Sequence, residues 1–85
     1  MPTFAVHVTI ENKAGINDPE GETILNDLVL KGNYSSVTKI RSAKMLKFTI
    51  KEKDKKSAEK KIRQICDDLR IYNPMVSQIR VDVFD

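Results

Sequence analysis

The chain has 85 residues, of which 15 are Lys or Arg and 12 are Asp or Glu, giving a formal net charge of +3. This length forms one domain, residues 1–85, with a small core, and no apolar run is long enough to span a membrane. Because the single cysteine, Cys66, excludes an internal disulfide and Met1–Phe4 lacks the layout of a signal peptide, we expect a cytoplasmic protein.

The first predicted element is a half-buried strand. Its apolar residues alternate with more polar neighbours, which is the period of a strand with one buried face; they are Phe4, Val6, Val8 and Ile10. A loop follows from Asn12 to Asn17, in which Gly15 is free to adopt a positive φ.

The first helix is predicted to begin after Asp18 and to end at Gly32. Asp18 fits the N-cap because its side chain can accept a backbone N–H of the first turn. Pro19 fits the first helical position, where no N–H is needed, and Gly15 and Gly21 lie on either side of this start. A glycine such as Gly32 is typical of a helix C-terminus. The predicted apolar face consists of Ile24, Leu25, Leu28 and Val29.

Two further strands are predicted at Val37–Arg41 and Met45–Lys51, joined by a short turn around Ser42-Ala43. The turn contains neither Asn-Gly nor Asp-Gly, so its type stays open. Asp54 then fits the N-cap of a second helix, and Asn73-Pro74 prevents that helix from continuing. The apolar stripe of this helix is Ala58, Ile62, Ile65, Cys66 and Leu69. Ile79, Val81 and Val83 alternate as the last strand.

This order, βαββαβ, predicts a ferredoxin-like α+β fold, with a four-stranded antiparallel sheet and two helices on one face. The other face is predicted to carry His7, Thr9, Lys39, Arg41, Met45, Lys47, Arg80 and Phe84. A sheet face without a helix in so small a domain favours self-association as a homodimer or a dimer of dimers. The alternative is a solvated face, which antiparallel sheets tolerate.

The sequence contains no recognisable catalytic, cofactor-binding or metal-binding set. His7 is the only histidine and has no evident base partner, and Cys66 falls on an apolar helix stripe, which indicates a core residue. Cysteines and histidines at metal-ligand spacing and Gly-rich phosphate loops are both missing.

A basic segment leaves a second interpretation open. Lys51–Lys61 contains six lysines beside three acidic residues. Such a segment is typical of a solvated helix face, but it can also attract nucleic acid or an acidic protein. A small ferredoxin-like nucleic-acid-binding protein is therefore the alternative function. Stacking aromatics on the open sheet face would favour it, yet Phe4 and Phe48 fall on the core side of their strands.

Four residues at strand ends are candidates for contacts with other proteins. Arg41 and Lys44 flank the predicted turn, and Asn73 and Pro74 precede the last strand. Loops at strand ends often carry binding residues, and arginine is favoured at interfaces because its planar fork can meet a carboxylate with two hydrogen bonds. The alternative is that Asn73-Pro74 only ends the helix and the two basic residues are solvated.

The motifs Gly15–Gly21, read GINDPEG, and Asn73-Pro74-Met75-Val76 lie at characteristic positions in a chain of this length. With them, the chain resembles the PurS family, the small subunit of phosphoribosylformylglycinamidine (FGAM) synthase, over nearly its whole length. Two segments depart from the family pattern. Arg41-Ser42-Ala43-Lys44 has Ala43 where the family has glycine, and Ser77 and Gln78 replace residues that are usually acidic.

The resemblance implies a subunit of an ATP- and glutamine-dependent ligase of de novo purine biosynthesis, with no catalytic residues of its own. It implies a bridge between a glutaminase subunit, PurQ, which releases ammonia, and a synthetase subunit, PurL, which uses it. The chain alone is then expected to bind no cofactor, while the assembled complex uses ATP, Mg and glutamine. Asp18, Pro19, Gly21 and Gly32 are expected to be structural residues.

Overall fold

The computed structural model describes residues 1–85. Three strands, two α-helices and one π-helical turn occur in the order β1 (Thr3–Asn12), α1 (Pro19–Ile24), the π turn (Leu25–Val29), β2 (Lys44–Lys51), α2 (Lys55–Asp68) and β3 (Ser77–Phe84). The α+β class predicted from the sequence is confirmed. Neither helix has the length and apolar character that crossing a membrane requires.

The three strands form one antiparallel sheet in the order β2-β1-β3. In the centre of this sheet, Val8 of β1 lies opposite Leu46 of β2 and Val81 of β3. Helix α2 packs against β1 and β3, and its predicted N-cap is confirmed because Asp54 accepts the backbone N–H of Ser57. The buried core consists of Phe4, Val6, Val8, Ala58, Ile62, Cys66 and Val81.

The fourth predicted strand, Val37–Arg41, does not join the sheet, which has three strands where four were predicted. The segment is not helical, and residues 38–41 make no backbone–backbone hydrogen bond. A two-residue hairpin turn needs residues that adopt positive φ, and Ser42-Ala43 is poorly suited to it. The chain therefore runs past the turn without folding back. Lys39 and Arg41 consequently do not lie on the open sheet face.

The first helix does not pack on the sheet either, so the prediction of two helices on one sheet face is wrong for α1 in the single chain. Residues 13–43 contribute nothing to the hydrophobic core. They form a projection, which we call the arm. The radius of gyration is 16.5 Å, whereas a compact chain of this length would have about 12 Å. The molecule measures 51 × 27 × 14 Å as a result.

Two helix ends differ from the sequence prediction. At the end of the first helix, the residue with left-handed backbone geometry is Asn33, with φ 69°, rather than Gly32. The N–H of Gly32 instead donates to the carbonyls of Leu28 and Val29. At the end of α2, Leu69 is 71% exposed and is not part of the buried stripe, because the helix ends at Asp68 and Leu69 is its C-cap.

Candidate partner-binding site at the base of the arm

Asp18 is the only charged residue that is buried, with 6% of its surface exposed. Its Oδ1 accepts the backbone N–H of Gly21 at 3.1 Å, which confirms the predicted N-cap. The same oxygen accepts the hydroxyl of Ser42 at 2.7 Å, and Oδ2 accepts the backbone N–H of Ser42 at 2.6 Å. One carboxylate therefore joins the start of α1 to a segment 24 residues further along the chain.

These hydrogen bonds determine the charge state of Asp18. The hydroxyl and then the backbone N–H of Ser42, followed by the N–H of Gly21, hold the pKa of the Asp18 carboxyl below its ordinary value. Burial acts in the opposite direction and is outweighed, and the nearby Arg41 guanidinium adds to the lowering. Asp18 is consequently ionised at neutral pH.

The lowered pKa predicts how stability responds to acid. A carboxyl with a depressed folded pKa stabilises the folded state above its unfolded pKa of about 3.9, and this contribution is lost as pH falls through the folded pKa. We expect the wild type to exceed Asp18→Asn in free energy of unfolding by a constant amount from pH 7 to about pH 5. Below that pH the difference shrinks, because both side chains become uncharged. Urea unfolding of both proteins from pH 7 to pH 2 measures it, and a constant difference over that range contradicts the prediction.

Arg41 extends this network to the sheet. Its Nη2 donates to the backbone carbonyl of Asn12, the last residue of β1, and its Nε lies 4.0 Å from Oδ2 of Asp18. Its side chain is 26% exposed. Asn12, Asp18, Gly21, Arg41 and Ser42 together form a cluster that we call the clasp.

Gly21 allows the two ends of the arm to approach closely. A Cβ atom at this position would collide with the backbone carbonyl of Ile40 and also meet Oδ2 of Asp18 at 3.1 Å. The returning segment therefore lies directly against the first turn of α1. The sequence indicated a structural role for Gly21, and this close approach is its physical reason.

The four residues predicted to contact partners lie at one end of the sheet. Lys44 begins β2 opposite Ile10, and Arg41 binds the end of β1. Asn73 shapes the turn before β3, since its carbonyl accepts the N–H of Ser77 at 2.8 Å and its Oδ1 accepts that of Met75 at 3.0 Å. The N–H of Lys13 donates to Val76 at 2.9 Å and so joins that turn to the base of the arm. Pro74 lies within the same turn.

A shallow cavity of about 260 Å³ occurs at this end of the sheet, and Arg41 and Gln78 are among the residues that line it. No local sequence pattern indicates Ser42 as a site residue, because its contact with Asp18 spans 24 residues. A serine beside a basic residue and an aspartate at a helix start are each common, and only the fold brings them together.

The arm carries an exposed apolar surface. Leu28 is 67% exposed, Tyr34 66% and Leu30 40%, while Ile24, Leu25 and Val29 are half-buried. Leu28 lies in the π-helical turn, a type of distortion that is often found at functional sites. The apolar face of the predicted helix is present, but within the chain it is at most half-buried, and Leu28 is left exposed.

The sheet has a complementary open region. Strand β2 lies at the edge, and α2 packs over β1 and β3. On the helix side of the sheet, Leu46, Phe48 and Ile50 are therefore only half-buried. The edge of β2 that faces away from β1 carries the unpaired backbone groups of an eight-residue strand.

The other side chains singled out in the sequence lie apart from this site. Cys66 is fully buried in the core as predicted, and burial raises the pKa of its thiol. His7 lies on the open sheet face, where its ring packs against Phe84 with centroids 4.7 Å apart. No group of three His, Cys, Asp or Glu side chains is arranged to hold a metal ion.

An arm with an exposed apolar face, beside a sheet with an open edge, is typical of a protein that binds other polypeptide chains. The family model for PurS, described as phosphoribosylformylglycinamidine (FGAM) synthase, matches residues 5–85. The chain belongs to the PurS family, the PurS subunit of FGAM synthase in purine biosynthesis.

Individual relatives agree with this assignment. The chain is 34% identical over 74 residues to the PurS subunit of Archaeoglobus fulgidus, covering 87% of this chain and 90% of the relative. It is 28% identical over 82 residues to the PurS subunit of Thermotoga maritima, covering 95% and 96%. Among solved structures, a chain of PurLQS from Thermotoga maritima superimposes with a TM-score of 0.85 at 25% identity, covering 99% of this chain and 100% of that one.

Proposed function

We propose that this chain is a non-catalytic assembly subunit that bridges the glutaminase subunit PurQ and the ATP-dependent synthetase subunit PurL of FGAM synthase, allowing ammonia to pass between them. The observation that carries the proposal is its similarity, over almost its whole length, to a chain of the PurLQS structure of Thermotoga maritima. Under this proposal ATP, Mg and glutamine are used by the assembled complex, and this chain alone binds none of them. The complex works in the cytoplasm.

The test compares glutamine with ammonia as the nitrogen source. We expect PurL and PurQ from the same organism to form FGAM from glutamine only when this chain is present, because the bridge couples the two active sites. Synthesis from added ammonia by PurL should depend much less on the chain. Rapid glutamine-dependent synthesis without the chain, or turnover by the chain alone, would disprove the bridging function.

The same assay tests the proposed partner interface at Arg41, Lys44, Asn73 and Pro74. Lys44→Ala is the cleanest variant, since Arg41 also binds Asn12 within the chain. An exposed ion pair contributes up to about 1 kcal/mol, so we expect glutamine-dependent synthesis at limiting chain to fall by up to about fivefold. Lys47→Ala removes another exposed lysine of the same strand, so it is the matched control and should behave as wild type. Equal losses in both variants would indicate a general charge effect.

We further propose that the chain forms a homodimer in which two copies exchange their arms. In the single chain, residues 38–41 make no backbone–backbone hydrogen bond, and β2 is a strand with a free edge. If Val37–Arg41 of one copy pairs with β2 of the other, each sheet gains the fourth strand that the sequence predicts. The apolar residues of the arm then cover Leu46, Phe48 and Ile50 of the partner.

Two features of the sequence support exchange over closure within one chain. Ser42-Ala43 lacks the residues of a tight turn, and short connections that cannot turn favour domain swapping. Lys44, Lys47 and Lys51 lie along β2, and lysines on an edge strand disfavour unspecific pairing with other strands. Reciprocal exchange about a twofold axis gives the arm of each copy a strand to pair with and pairs the free β2 edge of each copy. Such dimers can associate further into a dimer of dimers.

A further inference from the structure

We propose that Asp18 is the positioning residue of the arm: by holding Ser42 against the first turn of α1, it fixes the direction in which the arm leaves the sheet. The proposal rests on the proposed arm exchange in one respect only, namely the expected effect on homodimer formation. Within the clasp, Asp18 is the one member whose side chain accepts hydrogen bonds from both the outgoing end of the arm, at Gly21, and the returning end, at Ser42.

The geometry of the contacts carries this inference. Residues 13–43 leave the sheet at Asn12 and return at Lys44, so the arm is a long loop whose two ends meet at the clasp. Nothing in the arm packs on the hydrophobic core. The direction of such a loop is therefore determined at its base, where the clasp joins its two ends and the N–H of Lys13 also donates to the carbonyl of Val76.

The chemistry of Asp18 suits a rigid joint. A carboxylate accepts hydrogen bonds and donates none, so its two oxygens can hold one hydroxyl and two backbone N–H groups at once. The two bonds to Ser42, at 2.6 and 2.7 Å, are short, and hydrogen bonds to an ionised carboxylate are shorter and stronger than those between neutral groups. An amide in the same place offers one acceptor oxygen, and its NH₂ would face the N–H of Ser42. Asp18→Asn thus preserves size while breaking the joint.

A helix N-cap alone would not require this arrangement. Asp54 caps α2 through Ser57 in the usual local way, and its hydrogen bond spans three residues. Asp18 caps α1 through Gly21 over the same spacing but also holds a segment 24 residues away. Comparing the same substitution at the two aspartates therefore distinguishes the effect of losing a helix N-cap from the effect of losing the contact that positions the arm.

The experiment uses the full chain and two readouts, amide hydrogen exchange and the dissociation constant of the homodimer. For Asp18→Asn we expect exchange of the Ser42 amide to accelerate at least tenfold and the dissociation constant to rise at least tenfold. Amides in the centre of β1 should keep their protection, which shows that the sheet remains folded. For Asp54→Asn we expect faster exchange only in the first turn of α2, with the dissociation constant unchanged.

Two variants at Ser42 refine the test. Ser42→Thr retains the hydroxyl and should keep near wild-type association, whereas Ser42→Ala removes one of the two hydrogen bonds and should give an intermediate loss. The proposal is overturned if Asp18→Asn leaves the Ser42 amide as protected as in the wild type. It is equally overturned if Asp18→Asn and Asp54→Asn weaken the dimer to the same extent. If the wild type is monomeric and the Ser42 amide exchanges faster only in Asp18→Asn, the positioning role of Asp18 is supported and the arm exchange is rejected.

Discussion

Ile62→Ala is expected to lower the free energy of unfolding by about 2–5 kcal/mol, which is the usual cost of truncating a fully buried aliphatic side chain. Ile62 is 1% exposed and lies among the seven core residues. An 85-residue domain has a total stability of only about 4–13 kcal/mol. The substitution therefore removes a large share of the stability, and urea unfolding followed by circular dichroism at one fixed protein concentration measures the loss.

Leu69→Ala is the matched control for this substitution. The sequence places both residues on one apolar stripe of the second helix, but Leu69 is 71% exposed in the structure. Its truncation should change stability by no more than about 0.5 kcal/mol. Comparable losses in the two variants would mean that the end of α2 is packed in solution, contrary to the structure.

The contrast between Ile62 and Leu69 shows how far the sequence determines the fold. Signals that act within a few residues predict the structure correctly, because they do not depend on distant contacts; examples are the N-caps at Asp18 and Asp54 and the alternation in β1. The helical spacing wrongly predicts that Leu69 is buried, because Leu69 follows the last helical residue and sequence signals define the boundary of a helix less well than its existence.

The arm shows a different kind of failure. The pattern at Val37–Arg41 predicts a strand, and the segment is free of helix, but the single chain offers it no pairing partner. Similarly, the apolar residues of the first helix were identified, but not what they contact. The periodicity of apolar residues indicates that one face of an element is buried. It does not indicate whether the residues that bury it belong to the same chain or to another chain. Only part of the clasp can be predicted from the sequence. The N-cap at Asp18 is a local signal, whereas the Asp18–Ser42 contact joins residues that only the fold brings together.

Leu28→Asp is expected to abolish self-association at micromolar concentration. Leu28 is 67% exposed in the single chain and lies on the apolar surface of the arm that the proposed exchange would bury. Burying a leucine side chain contributes about 1.5–3 kcal/mol, and a twofold dimer contains the site twice. The loss of about 3–6 kcal/mol corresponds to a dissociation constant raised by at least about 100-fold, even before the cost of burying a carboxylate is considered.

Leu69→Asp provides the control, because Leu69 has nearly the same exposure, at 71%, but lies at the end of α2 outside the arm. It introduces the same charge and the same loss of apolar surface, so a general effect on solubility or net charge would appear in both variants. Sedimentation velocity over a range of concentrations should show Leu28→Asp as a monomer and Leu69→Asp as a dimer like the wild type. Circular dichroism should confirm that both remain folded, since neither residue belongs to the core.

The two outcomes of this comparison lead to different structures of the assembled protein. If only Leu28→Asp dissociates, the arm is the contact surface, and the fourth strand of each sheet comes from the partner copy. If Leu28→Asp remains a dimer, the arm is not buried between copies, and the open sheet face with Met45 and Phe84, 46% and 48% exposed, becomes the surface that joins them. In that case the arm would be free for PurL or PurQ, and Leu28→Asp should reduce glutamine-dependent synthesis while leaving the dimer intact.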